Sequence, residues 1–173
     1  VESIRREFKS TWSEPTLDQV IRTICGFAND FFNLNGGYIV IGIEAPNGQA
    51  LLPPRGMDGF DLDHIQREIR GQSNRIDPPY QPIISPEVYQ GKQILVLWVP
   101  AGDLRPYQAP KTTAKGSSKG YFIRLGPETV EAKGEQLTQL MQMTARVPYD
   151  DRRRSELSIE VLSPNLVRNY LSD

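Results

Sequence analysis

The sequence has few of the residues on which many enzyme classes depend. Its 173 residues include one cysteine, Cys25, and one histidine, His64. A single cysteine excludes an internal disulfide and a cysteine-based zinc cluster, and a single histidine argues against a histidine-rich metal site or a usual Ser-His-Asp triad. No apolar run is long enough for a membrane span, and no signal-peptide pattern opens the chain. We therefore expect a cytoplasmic protein without membrane contact, with Cys25 in the core and His64 solvated.

The common phosphate-binding glycine motifs are also missing. The segment KGSSKG is too short for a P-loop, and no G-x-G-x-x-G follows a predicted strand. Gly36 and Gly37 come after a helical pattern and before a strand, which is the wrong order for a phosphate site at a helix N-terminus. The formal net charge is −1, so any nucleic-acid-binding surface must be local.

The patterning predicts an α+β fold with helices packed on a mixed β-sheet. A helix is expected to begin at Pro15 and to end between Asn33 and Gly37, where Asn and Gly suit a cap. Its apolar residues recur at steps of three and four and so share one face: Leu17, Val20, Ile21, Ile24, Phe27, Ala28 and Phe31. The next segment, 38–43, is apolar on both of its alternating faces. This pattern predicts a central strand covered on both sides.

The remaining elements interleave without strict alternation, which favours α+β over a doubly wound α/β fold. We predict a first strand over 1–10, a helix over 61–71, an extended proline-rich segment over 76–89 that leads into a strand, and a second central strand over 91–100. A strand over 121–126, the short segment ETVEA and a helix over 135–145 follow. One domain is expected over 1–146, then a linker over 147–157 and the start of a truncated further module over 158–173.

Three glutamates are candidates for a metal site. Glu2 and Glu7 lie in the first predicted strand and Glu44 closes the central one, and carboxylates on one sheet suit Mg²⁺ or Mn²⁺ for phosphodiester hydrolysis. Glu7 and Lys9 are two residues apart, so they share a face in a regular strand. Glu2 is five residues from Glu7 and would face the other way unless a bulge intervenes. Spacing alone therefore favours ordinary surface glutamates.

The segments VESIRREFKS and IRTICGFANDFFNLNGGYIVIGIE together resemble the Schlafen AlbA-type domain, also called divergent AAA-4. That family's pattern is E-x4-E-x-K, a helix ending in C/V-A-F-A-N, a G-G pair, and an apolar strand that closes on an acidic residue. The match extends over about residues 2–126. The resemblance implies a nucleic-acid-binding module, with DNA favoured over tRNA or rRNA, at the N-terminus of a larger bacterial transcriptional regulator. Binding of this kind requires no cofactor.

Vertebrate Schlafens imply a second reading, a Mg²⁺- or Mn²⁺-dependent RNA endonuclease. The resemblance places its metal-binding carboxylates at Glu2, Glu7 and Glu44, with Lys9 beside them to steady developing charge. The sequence departs from the family pattern at ANDFFNLNGG, which is longer than the usual A-N-T-x-G-G, and at Glu44, where aspartate is commoner. A third reading is a protein-interaction scaffold, such as a homo-oligomer paired through a sheet edge or the tail.

One stretch of the chain segregates positive charge. No Asp or Glu occurs between Leu104 and Pro127, and the glycines and serines of 111–120 predict a mobile loop that can follow a phosphate backbone. Flanking tyrosines could stack on exposed bases. The predicted nucleic-acid contacts are Arg105, Tyr107, Lys111, Lys115, Lys119, Tyr121 and Arg124. The alternative is a solvated hairpin loop whose lysines serve solubility.

Overall fold

The computed structural model describes residues 1–145, which form two β-sheets with a helix between them. The helices are α1 (Glu14–Asn29), α2 (Leu62–Ser73) and α3 (Glu135–Ala145). The strands are β1 (Arg6–Lys9), β2 (Gly37–Ile41), β3 (Ile83–Tyr89), β4 (Lys92–Val99), β5 (Gln108–Pro110), β6 (Lys119–Leu125) and β7 (Glu128–Glu131). The predicted α+β class is confirmed. None of the helices in this described part of the chain is long and apolar enough to cross a membrane.

The first sheet has the strand order β1-β2-β4-β3, with β1 parallel to β2 and the other pairs antiparallel. Strands β2 and β4 are therefore interior, as predicted. On the face toward α1, Ile39 and Ile41 of β2 lie beside Leu95 and Leu97 of β4, and all four side chains are fully buried. This apolar face is the floor of the main core.

The opposite face of the same sheet is open to solvent at the end that carries Tyr38 and Trp98, although Ile94 on that face is buried, so the prediction of a strand covered on both sides is wrong. Tyr38 and Trp98 point outward from β2 and β4 and are 40% and 37% exposed. Val40 on the same face is only half-buried. A strand that is apolar on both faces thus need not be fully buried, since here its outer face carries exposed aromatic side chains.

Helix α1 begins and ends on side-chain caps. The Ser13 hydroxyl accepts a hydrogen bond from the Thr16 N–H at 3.3 Å, and Pro15 lies in the first turn. The helix ends at Asn29, before the predicted end at 33–37, because Asp30 adopts a left-handed backbone with φ of 42°. The Asp30 carboxylate then accepts hydrogen bonds from Leu34 N and Asn35 N at 2.8 and 2.9 Å. These bonds hold residues 30–35 in a turn instead of a helix.

The two glycines after this turn are required by close packing. A Cβ on Gly36, whose φ is 70°, would overlap the Val99 carbonyl oxygen, and one on Gly37 would overlap the Phe27 ring. The Gly-Gly pair thus lets β2 enter the sheet against the end of α1.

The second sheet, β5-β6-β7, covers the other side of α1. Asn29 is fully buried and donates from Nδ2 to the carbonyls of Tyr107 and Phe122 at 3.0 and 2.7 Å. Its Oδ1 accepts from Tyr107 N at 2.7 Å. The sequence predicted one buried face for α1, whereas two sheets bury it on opposite sides.

The other predicted elements are present with shifted limits. Asp61 caps α2 through a hydrogen bond from His64 N, which lowers the pKa of the Asp61 carboxyl. The helix continues past Gly71 to Ser73. Strand β3 occupies half of the segment predicted as extended, and β5 has no counterpart among the predicted strands. The first strand is shorter than predicted. The predicted linker 147–157 and further module 158–173 lie outside the described residues.

Candidate functional site

Glu7 is held between two cations where the two sheets meet. Its Oε2 accepts from Arg124 Nη1 at 2.7 Å, and its Oε1 lies 2.7 Å from Lys9 Nζ. Glu7 and Arg124 are buried, with 8% and 3% exposure. As predicted, Glu7 and Lys9 share one face of β1, here the face toward α1, because they are two residues apart.

Arg124 belongs to the core and is not the nucleic-acid contact that the sequence predicted. From β6 its guanidinium also donates to Thr129 Oγ1 and Ser3 O, both at 2.9 Å, and lies 5.0 Å from the centroid of the Phe27 ring. These contacts join the second sheet to the strand that carries Glu7. Arg124 is therefore a positioning group for Glu7.

Glu2 and Glu44 have separate partners. Glu2 lies before β1, so the parity of a regular strand does not apply to it, and its Oε1 accepts from Phe8 N at 3.2 Å. Glu44 lies beyond the end of β2 and pairs with Arg55 at 3.1 Å, where both side chains are largely exposed. The three predicted metal ligands thus engage N–H donors in different places.

The predicted three-carboxylate metal site is not formed. Among residues 1–145, no three His, Cys, Asp or Glu side chains come close enough to hold a metal ion. The physical reason is that Arg124 and Lys9 take both oxygens of Glu7, while Arg55 and a backbone N–H engage Glu44 and Glu2. The residues present do not fit the metal, and the catalytic roles implied for Glu2, Glu7, Lys9 and Glu44 stay predictions.

An open cleft of about 340 Å³ lies beside Glu7 and Lys9. Its wall includes Arg22 and Thr23 of α1 and Thr129 of β7. Thr23 and Thr129 bridge the helix and the second sheet through a hydroxyl–hydroxyl bond of 2.9 Å. Arg22 was not among the predicted site residues, because its position in an amphipathic helix indicates only a surface charge.

The β5–β6 loop, predicted to be mobile, is hydrogen-bonded to the helical layer. Arg22 Nη1 donates to Lys111 O at 3.2 Å, and the Asp18 carboxylate accepts from Thr113 N at 2.6 Å. Arg75, just after α2, donates to the carbonyls of Thr113 and Ala114 at 2.7 and 3.0 Å. Three side chains distant in sequence therefore fix the path of this loop.

Two of the predicted lysine contacts have acidic neighbours from outside the charge-segregated stretch. Lys111 Nζ lies 2.8 Å from Glu131, and this hydrogen bond lowers the pKa of the Glu131 carboxyl. Lys119 Nζ lies 3.6 Å from Asp77. Lys115 is exposed and forms no ion pair with any described residue.

The other predicted contacts lie deeper. Tyr107 is 3% exposed, its hydroxyl accepts from Leu104 N, and burial raises its pKa, so its ring cannot stack on a base and that prediction is wrong. Arg105 donates to the Asn29 and Asp30 carbonyls at the end of α1. Tyr121 is half-buried, and its hydroxyl accepts from Gln108.

Four cations along the cleft and the loop form what we call the cationic track: Lys9, Arg22, Lys115 and Arg75. Lys9 and Arg22 line the cleft, Arg22 bonds to the first residue of the loop, and Arg75 bonds to the residue before Lys115. Lys119 follows at the start of β6. The track joins the cleft to the loop across α1.

Solved structures share this fold. The N-terminal domain of an ATP-dependent DNA helicase RecG-related protein from Nitrosomonas europaea is 28% identical with a TM-score of 0.52, over 78% of this chain and 86% of that one. The DIP2311 protein from Corynebacterium diphtheriae is 19% identical with a TM-score of 0.50, which shows the fold alone. That alignment covers 73% of this chain but only 21% of the other.

Sequence comparison gives the family. No curated protein matches the chain significantly. The family model described as Schlafen, AlbA_2 matches residues 2–133, which is most of the chain and includes both segments that carried the resemblance. The chain belongs to the Schlafen AlbA_2 family.

Proposed function

We propose that this chain is a nucleic-acid-binding module of a larger protein, with DNA as the favoured ligand. Family membership and the similarity to the N-terminal domain of a DNA helicase RecG-related protein support this proposal. The role in a transcriptional regulator, which the resemblance implies, is part of the same proposal and concerns the whole protein. The cationic track supplies the contact surface.

The observation that carries the proposal is the position of Arg22 between the cleft and the loop. Arg22 and Arg75 donate hydrogen bonds to backbone carbonyl oxygens and, from Arg75, to the side-chain amide oxygen of Gln72, and neither forms an ion pair with a described carboxylate. Hydrogen bonds of this kind orient a guanidinium but leave its charge uncompensated. An oriented, uncompensated cation is suited to a phosphate contact.

The test is the salt dependence of binding to labelled duplex DNA and tRNA. About four neutralised phosphates give a log–log slope near −4, or roughly a hundredfold loss of affinity between 50 and 200 mM salt. Replacing Lys115 and Lys119 by Ala should make the slope shallower by about two units, since each phosphate contact contributes about one. Lys111 is left intact because its loss would leave Glu131 without its main partner.

The control is Lys92→Ala, which removes a lysine that pairs with Asp58 in the β3–β4 hairpin of the first sheet, away from the loop. It should leave the slope unchanged. Equal affinity of the parent and the double variant at every salt concentration would remove the loop from the interface. Absence of binding by the parent to either ligand would refute the proposed function itself.

The second candidate function is RNA cleavage, which is favoured by the presence of Glu7 and Lys9 in an open cleft beside a cationic surface. Incubation of labelled tRNA with Mn²⁺ and with EDTA tests it. Cleavage that disappears in Lys9→Ala would support it, whether or not it requires Mn²⁺. Intact tRNA under both conditions would leave binding as the only function.

A further inference from the structure

The outer face of the first sheet carries a row of side chains that the cationic track does not use. Arg6, Tyr38, Trp98 and Ile83 occupy paired positions across β1, β2, β4 and β3, and we call them the aromatic row. Tyr38, Trp98 and Ile83 are 40%, 37% and 55% exposed. Three exposed apolar side chains side by side on a sheet call for an explanation.

The two rings of the row are stacked against each other. The planes of Tyr38 and Trp98 are inclined by only 17°, and their centroids are 6.4 Å apart. Both rings stand on interior strands, which fix their positions better than a loop does. A base of any sequence can stack on such a ring, because every base has a π-face. Exposed aromatic residues on a β-sheet are a recurrent means of binding single strands.

The charge of the row suits a polyanion. Arg6 is exposed at the β1 end and forms no ion pair within residues 1–145. The row itself contains no carboxylate. The acid on the same face of β3, Glu87, lies at a pairing position opposite Ile94, toward the hairpin, and accepts a hydrogen bond from Ser85. Arg6 is thus placed to contact a phosphate of a strand whose bases lie on the rings.

A second copy of the chain fits this face less well. Fully burying an aromatic side chain removes 150–250 Å² from water, so three side chains that are about half exposed offer only roughly 300 Å². A stable protein interface requires about 800 Å² per partner. The small area and the unpaired Arg6 together favour a ligand that binds by stacking and charge.

We propose that the aromatic row binds single-stranded nucleic acid, with bases stacked on Tyr38 and Trp98 and a phosphate at Arg6. The inference rests on the proposed nucleic-acid binding and adds a second, separate contact surface to it. The cationic track would hold the backbone of a duplex or folded RNA, while the aromatic row would hold an unpaired segment.

The test uses the full chain with labelled oligothymidylate of about 12 nucleotides, a length within the range that single-strand sites cover. A strand of equal length built from abasic residues has the same phosphates but no bases. Tyr38→Ala and Trp98→Ala should each weaken binding of oligothymidylate by about fivefold or more and leave the weaker abasic strand unaffected. Tyr89→Ala, which removes a 45% exposed tyrosine at the hairpin end of β3, is the matched control.

A spectroscopic readout avoids any change to the row. The chain has two tryptophans, and Trp12 lies near the start of α1, where it donates to Glu68. Trp12→Phe leaves Trp98 as the single emitter, and its fluorescence should be quenched as oligothymidylate binds. Unquenched emission at saturation, or parental affinity in both row variants, would overturn the inference.

Two further outcomes are informative. Dimerisation of the parent that is lost in Trp98→Ala would assign the row to a second copy and overturn the inference. In the second outcome, the Tyr38→Ala variant binds duplex DNA with an unchanged salt slope while it binds oligothymidylate more weakly. That result would support the aromatic row as a surface separate from the cationic track. If only the inference is wrong, the chain still binds duplex DNA through the cationic track. If the proposed function is wrong, the chain binds neither duplex DNA nor oligothymidylate.

Discussion

Glu7 is the residue on which both sheets depend. It stands on the edge strand of the first sheet and binds Arg124 from the middle strand of the second. Bringing two charges out of water is costly, and the pair is stable only if the remaining donors are also satisfied. The bonds from Arg124 to Ser3 and Thr129 satisfy both Nη atoms, whereas Nε is buried without a partner among the described residues.

Replacing Glu7 by Gln should destabilise the fold by about 3–5 kcal/mol, because it leaves Arg124 as a buried cation without a counter-charge. Urea titration measures the change. The matched control is Glu44→Gln, whose ion pair with Arg55 is exposed and should contribute no more than about 1 kcal/mol. Equal effects of the two substitutions would mean that Glu7 is more solvated than its 8% exposure indicates.

Cys25 gives a second prediction at this scale. Burial raises the pKa of its thiol from 9.0 to about 12, and the thiol donates to Tyr107 O at 3.2 Å. The raised pKa means that the folded chain favours the neutral thiol. The contribution of this thiol to folding stability is therefore complete below pH 9.0 and is lost as the pH rises toward about 12. Iodoacetamide at pH 8 should label the native chain far more slowly than the urea-unfolded chain. Equal labelling rates would contradict the buried position.

At the scale of elements, the sequence predicted those helices and strands that local apolar patterns and caps determine. The position of α1, the interior strands β2 and β4, and the final helix all follow from apolar periodicity and caps. The double burial of α1 could not be predicted, because the second sheet reaches it through backbone groups of Tyr107 and Phe122, far along the chain. A side chain such as Asn29 gives no sign in the sequence of which carbonyls it will find.

The open outer face of the first sheet predicts unequal costs for neighbours on β2. Ile41→Ala should cost about 2–5 kcal/mol because Ile41 is fully buried in the core. Val40→Ala, one residue away on the half-buried outer face, should cost less than half as much. Urea titration of both variants gives the comparison. Similar losses would indicate that another element covers the outer face.

The candidate site was predicted in part, and its errors have one cause. Sequence neighbours identified Glu7 and Lys9 as a pair and the lysines of the β5–β6 loop as surface charges. They could not show that Glu131 and Asp77 would lie beside two of those lysines or that Arg124 would turn inward to Glu7. Arg22 and Arg75 were missed because their importance arises only where the loop meets the helices.

At the scale of the whole molecule, the cations of the track come from several elements rather than from one segment. The net charge of −1 hides a track of cations between cleft and loop. The sequence suggested a basic segment over 105–124, but the folded chain disperses it. Two surfaces with different chemistry result: a cationic track beside α1 and an aromatic row on the face of the first sheet that points away from α1. A module of this kind is suited to nucleic acid that contains both paired and unpaired regions.

The separate positions of Glu2, Glu7 and Glu44 give the last prediction, which concerns the free chain and Mn²⁺. An ion present at 100 times its Kd would stabilise the fold by about 2.7 kcal/mol, which raises Tm by roughly 5–10 °C for a chain of this size. Since no three acidic or histidine side chains within residues 1–145 converge, we expect Mn²⁺ to leave Tm unchanged against an EDTA control. Glu44→Gln and the matched surface variant Glu87→Gln should then behave alike. A rise in Tm that Glu44→Gln abolishes and Glu87→Gln retains would show that Glu44 does take part in binding an ion, and it would make the nuclease the leading function.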